Sequence, residues 1–74
     1  MLLQKSVVGE TLRRLREERH LSQEDLAERA MVRRSYISQV ELGVSSLSLK
    51  TLFRIAQGLE TKPSEIVREI ESNL

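Results

Sequence analysis

Apolar residues recur at helical spacing along almost the whole chain, and no stretch alternates apolar and polar residues long enough to make a strand. In 74 residues, that pattern leaves room for one all-α domain of short helices on one small core. The spacing predicts five helices. The first runs from Ser6 to Arg19, with Val8, Leu12 and Leu15 at i, i+4 and i+7 on one inward stripe, and Gly9 weakens its start. Leu21 follows as a core anchor. Ser22 is a good N-cap for the second helix, Gln23, Glu24 and Asp25 form its first turn, and Asp25 is placed to complete a capping box with Ser22. Leu26, Ala27 and Ala30 face inward, and the two small alanines allow another helix close. Met31, Val32 and Arg33 lead into a third helix, Arg34 to Leu42, ended by Gly43. After a loop at 44–47, Ser48 caps a fourth helix from Leu49 to about Leu59. Pro63 at a first helical position, supported by Glu65, opens the fifth. Residues 1–74 read as a single domain without internal repeats or low-complexity segments.

Composition closes off several functions. Without Cys there are no disulfides and no thiolate metal sites, and a lone His leaves no zinc spacing. His20 is the single base available to a nucleophile relay; its place at the end of the first helix suits a surface residue that favours the helix dipole when charged. These counts argue against an enzyme, a metal or a cofactor. No apolar run approaches the length of a membrane span, and MLLQKSVV lacks the length and cleavage site of a signal peptide, so a cytoplasmic location without membrane contact is expected. The net charge of +1 argues neither for nor against a nucleic-acid partner. Nine of the twelve basic residues are Arg, which suits forked contacts with phosphates or base edges but equally suits solvated helix faces.

The third helix is two-faced. Ile37 and Val40 point to the core, while Arg34, Ser35, Ser38 and Gln39 fall at i, i+1, i+4 and i+5 on the opposite side, a stripe of donors and acceptors without an acid. Such a stripe serves as an ordinary solvated face or as a helix offered to a DNA major groove, which admits one α-helix. A short helix, a three-residue turn and a second amphipathic helix fit a helix-turn-helix over about residues 23–42.

The stretch SQEDLAERAMVRRSYISQVELG resembles the helix-turn-helix of the Cro/phage-repressor (Xre) family, whose fold is lambda-repressor-like. LRRLREERHL before it and SLKTLFRIAQGLETKPSEI after it match the family's flanking helices, so the resemblance covers Val8 to Ile70. Within the family, RRSYISQVE and LSLKTLFRIAQGL look most like the controller proteins of restriction–modification systems. The resemblance implies a homodimeric transcriptional regulator on double-stranded DNA half-sites, acting by blocking or recruiting RNA polymerase. A phage-type repressor or an antitoxin is the nearest alternative. A protein–protein adaptor on the same fold is the rival from another class.

Carried over by position, the resemblance implies that Arg34, Ser35 and Gln39 reach base edges and that Gln23 holds a backbone phosphate. Tyr36 would touch DNA near the base contacts, and Arg33 would make a further base or phosphate contact. Ser38 lies on the same polar stripe. The chemistry agrees, since Arg pairs with guanine, Gln with adenine and Ser with either. Several positions depart from the family pattern. Met31 stands where Gly is usual in the turn, so it must take a strained backbone or the turn must differ. Arg33 replaces a capping Ser or Thr, and Glu60 replaces a helix-ending Gly. Leu42, Ser45 and Ser46 replace the Arg and Asn residues that many controllers place beside phosphates; the two serines can still hydrogen-bond phosphate, but without charge.

Two further expectations concern packing. Arg16, eight residues after Val8, and Glu41, four after Ile37, both lie near inward faces and should pair, as the resemblance also implies. The fourth and fifth helices carry more apolar residues than one stripe needs. Phe53, Ile55, Ile66, Val67 and Ile70 are therefore expected to supply a dimer interface as well as core, the division between the two being open.

Overall fold

The computed structural model describes residues 4–74 as five helices: α1 (Lys5–Glu18), α2 (Gln23–Ala30), α3 (Arg34–Glu41), α4 (Leu49–Gly58) and α5 (Pro63–Ser72). All five expected helices are present, and each boundary that the sequence reading gave is met within a residue. The caps explain the sharp boundaries. Ser22 Oγ accepts from the Asp25 amide at 2.9 Å while Asp25 Oδ2 accepts from the Ser22 amide at 2.9 Å, a complete capping box. These bonds hold the Asp25 carboxyl below its ordinary range. Ser48 caps α4 by accepting from the Thr51 amide at 3.1 Å, and Pro63 starts α5. Arg33 supplies α3 with no side-chain cap, as its replacement of Ser or Thr implied.

Helices α1 to α4 all end the same way. One or two residues past each helix an amide donates back three positions and the next one back five: His20 to Glu17 and Leu21 to Arg16, Met31 to Glu28 and Val32 to Ala27, Gly43 to Val40 and Val44 to Gln39, Glu60 to Gln57 and Thr61 to Ala56. This Schellman pattern needs a left-handed residue, and φ is 56°, 59°, 77° and 56° at His20, Met31, Gly43 and Glu60. Only one of the four is glycine. Met31 thus keeps the turn and accepts the strained backbone. A side chain in this region is disfavoured by about 1–2 kcal/mol, partly offset by the lower unfolded-state entropy of a non-glycine residue. Met31 is largely exposed, so Met31→Gly removes little packing. It should stabilise the fold by about 0.5–1 kcal/mol, read as a higher urea midpoint at unchanged slope.

Helix α2 packs chiefly on α4, α3 on α1 and α2, and α5 closes the assembly against α1 and α4. Leu12, Leu26, Ile37, Val40, Ile55, Leu59 and Ile66 fill the centre. Burial in one chain separates the candidate interface residues into core and surface. Ile55 and Ile66 are 0% exposed and Ile70 is 8% exposed, so they are core within one chain and are not available as dimer interface. Phe53 and Val67, at 57% and 48%, remain on the surface, joined by Leu49 at 71%. Gly9, expected only to weaken α1, has a packing role. A Cβ there would collide with the Val40 carbonyl and lie 2.5 Å from that of Glu41, so the end of α3 rests directly on the α1 backbone. Among the described residues, no helix is long and apolar enough to cross a membrane.

Candidate nucleic-acid interface

Helix α3 buries Ile37 and Val40 and turns Arg34, Ser35 and Gln39 to solvent, with Ser38 half-buried beside them. The polar stripe read from the sequence is therefore one exposed surface. Arg33 is exposed at the amino end of the helix, where unpaired N–H groups and the helix dipole favour a negative partner.

Behind the stripe lies a chain of charge-assisted bonds. Arg16 meets Glu41 through a fork, with Nε donating to Oε2 at 2.7 Å and Nη2 to Oε1 at 3.0 Å. Its Nη1 donates to the Leu21 carbonyl at 2.7 Å. The two side chains are 10% and 4% exposed, so the expected pair is present and shielded from water. The hydrogen bond to Glu41 raises the Arg16 pKa above its ordinary value against the opposing effect of burial, with the Glu41 and Glu17 charges adding to the rise. Gln23 Nε2 donates to the same Glu41 Oε1 at 3.1 Å, and Gln23 Oε1 accepts from Arg34 Nη1 at 3.3 Å. Gln23 and Arg34, on different helices, are thereby brought together.

Of the other sequence candidates, Ser45 and Ser46 lie in the loop after α3, and Tyr36 reaches that loop from the first turn of the helix. Ser45 Oγ donates to Gln39 Oε1 at 3.1 Å, and the Val44 and Ser45 amides both donate to the Gln39 carbonyl. The half-buried Tyr36 donates its hydroxyl to the Ser46 carbonyl at 2.8 Å. Tyr36, Ser45 and Ser46 thus tie the loop after α3 to that helix. Leu42 and Val44, at 74% and 64% exposed, make this end of the surface apolar. Phe53 and Val67 lie on α4 and α5, not on the helix that carries the polar stripe.

One candidate escaped the sequence reading. Arg13 lines a surface depression of about 220 Å³ with Arg16, Gln23, Ser38, Glu41 and Leu42. Its partner is Glu17, at 3.3 Å in an exposed pair that binds weakly. The signal was its place three residues before Arg16, on the same side of α1. Among the described residues no cluster of His, Asp and Glu could hold a metal ion.

A family model described as helix-turn-helix matches residues 12–66. The crystal structure of the restriction–modification controller protein C.AhdI from Aeromonas hydrophila is 37% identical, covers 84% of this chain and 94% of its own, and superposes with a TM-score of 0.81. The wild-type controller protein C.Esp1396I is 29% identical, with 99% and 94% covered and a TM-score of 0.87. An immunity repressor protein of Bacillus phage phi105 is 40% identical over 62 residues, which are 84% of this chain and 43% of the repressor. This chain spans less than half the length of that relative.

Proposed function

The chain belongs to the helix-turn-helix family of DNA-binding regulators, and from that premise we propose that it is a sequence-specific regulator of transcription that binds operator half-sites as a homodimer. The carrying observation is α3, apolar where it faces the core and exposed along Arg34, Ser35 and Gln39. Arg34 lies at the amino end of the helix, the end that enters a major groove, where its fork matches guanine O6 and N7. Gln39 reads a neighbouring base pair through its amide, and Ser35 between them reaches less far. Gln23, Arg33 and Arg13 hold phosphates and fix register.

Exposed Leu49, Phe53 and Val67 support dimerisation through α4 and α5, which would set two recognition helices about 34 Å apart, one turn of DNA. In this reading the protein is a cytoplasmic binding protein rather than an enzyme. It works by occupancy, either blocking RNA polymerase or helping to recruit it. Control of a restriction–modification promoter is the first reading, supported by likeness to C.AhdI and C.Esp1396I. A phage-type repressor is the second, supported by the phi105 immunity repressor.

The test is selection of duplexes from a randomised pool by the pure protein, followed by binding to the selected site and its single-base variants. A palindromic or repeated site is expected, with affinity that falls steeply as salt rises. Arg34→Ala should weaken the selected site by about 1–3 kcal/mol and relax preference at one base pair. A protein that binds no duplex at low salt is an adaptor instead. Sedimentation should give twice the chain mass at micromolar concentration, and Phe53→Asp should return it to one; a single-chain mass for the wild type would refute the dimer.

A further inference from the structure

We infer that Ser45 is a positioning residue for base reading: the loop after α3 turns a hydroxyl back onto Gln39 and places its amide before DNA arrives. The inference rests on the reading of Gln39 as a base contact. Ser45 meets Gln39 at two points. Its amide donates to the Gln39 carbonyl at 3.2 Å, and its Oγ donates to Gln39 Oε1 at 3.1 Å. The residues on either side are fastened to α3 as well. The Val44 amide donates to the same Gln39 carbonyl at 2.8 Å, and the Ser46 carbonyl accepts from the Tyr36 hydroxyl at 2.8 Å. Ser45 is half-buried. Its hydroxyl is therefore presented to Gln39 from a backbone held at three successive residues.

Gln39 is exposed, and a glutamine free at the surface has many rotamers. One bond accepted by Oε1 leaves that oxygen a second lone pair and leaves both Nε2 hydrogens. The held amide thus keeps the acceptor and the donor that adenine requires. Ordering the side chain costs free energy on the duplex whose base the amide grips, and on no other. A hydroxyl that removes part of this cost raises affinity for the matched base pair alone. Ser45 would then change which base is preferred without touching one, whereas a phosphate contact changes affinity for every duplex alike.

The experiment compares wild type, Ser45→Ala, Gln39→Ala and the double variant on the selected site, its single-base variants and random duplex. Ser45→Ala is expected to lower discrimination about three- to tenfold at the base pair that Gln39→Ala relaxes, and nowhere else. It should have no further effect on that discrimination when Gln39 is already Ala. Equal weakening on all duplexes makes Ser45 a phosphate contact and overturns the inference, as does an unchanged preference profile; both leave Gln39 as a base contact. If Gln39→Ala itself leaves every preference unchanged, the reading of Gln39 fails and the inference falls with it. The placement of the amide is read separately, without DNA, by NMR relaxation of the side-chain nitrogens. In the wild type Gln39 Nε2 should have a higher order parameter than that of exposed Gln57. In Ser45→Ala it should fall to the Gln57 value; equal order in both proteins would refute the role of the hydroxyl.

Discussion

Glu41→Ala should destabilise the fold by about 3–5 kcal/mol, a large part of the stability of a domain this small. The loss comes less from the missing attraction than from what is left behind. Arg16 stays charged at every pH where the protein is folded, and its side chain is 10% exposed. Without Glu41 its guanidinium keeps the Leu21 carbonyl but loses its hydrogen-bonded counter-charge, and the Glu17 charge contributes less. Gln23 Nε2 also loses its acceptor. The companion variant separates the two contributions. Arg16→Met combined with Glu41→Leu removes both charges at similar volume, and replacing a buried pair in this way is often neutral or stabilising. Urea unfolding of both proteins should therefore show a large loss for the single change and recovery of most of it for the double. Equal losses would mean that the pair itself, and not the orphaned charge, carries the energy.

Gly9→Ala should destabilise by about 1–3 kcal/mol, against the ordinary preference of a helix interior for Ala over Gly. On a free helix the substitution would help by about 0.8–1 kcal/mol. Here the new methyl would meet the Val40 and Glu41 carbonyls, which are backbone atoms and cannot swing aside. The end of α3 would have to move away from α1, and the Arg16–Glu41 fork, made at 2.7 and 3.0 Å, would stretch with it. Urea unfolding checks the sign. A stabilised Gly9→Ala protein would show that α3 yields without loss.

Helix positions were legible because their ends are written locally: Ser22 with Asp25, Ser48, Gly43 and Pro63 each act within a turn of the boundary they set. The Arg16–Glu41 pair was legible because each residue follows from an apolar stripe on its own helix. The split between core and surface on α4 was not. Phe53 and Ile55 are two residues apart and both apolar, and only the placement of α2 and α5 decides that Ile55 is enclosed while Phe53 is not. The left-handed backbone at His20 and Glu60 was also hidden, because a turn closed by hydrogen bonds can impose a conformation that the residue itself does not favour. At the candidate interface the stripe on α3 was readable from periodicity. The bond from Gln23 to Arg34 was not, since it depends on how two helices sit side by side.

Helices α2 and α3 are eight residues each, below the length at which a helix persists alone in water. The surface that would meet DNA therefore has no existence apart from the assembled core. Partial unfolding cannot leave a competent binder behind, because α3 rests on α1 and α2 and whatever loosens either also melts α3. For a regulator that works by occupancy, the chains able to sit on DNA and the chains spared by cellular proteases are the same folded fraction. Lifetime in the cell and occupancy of the genome are then two readouts of one equilibrium, and a core substitution far from any base changes both together.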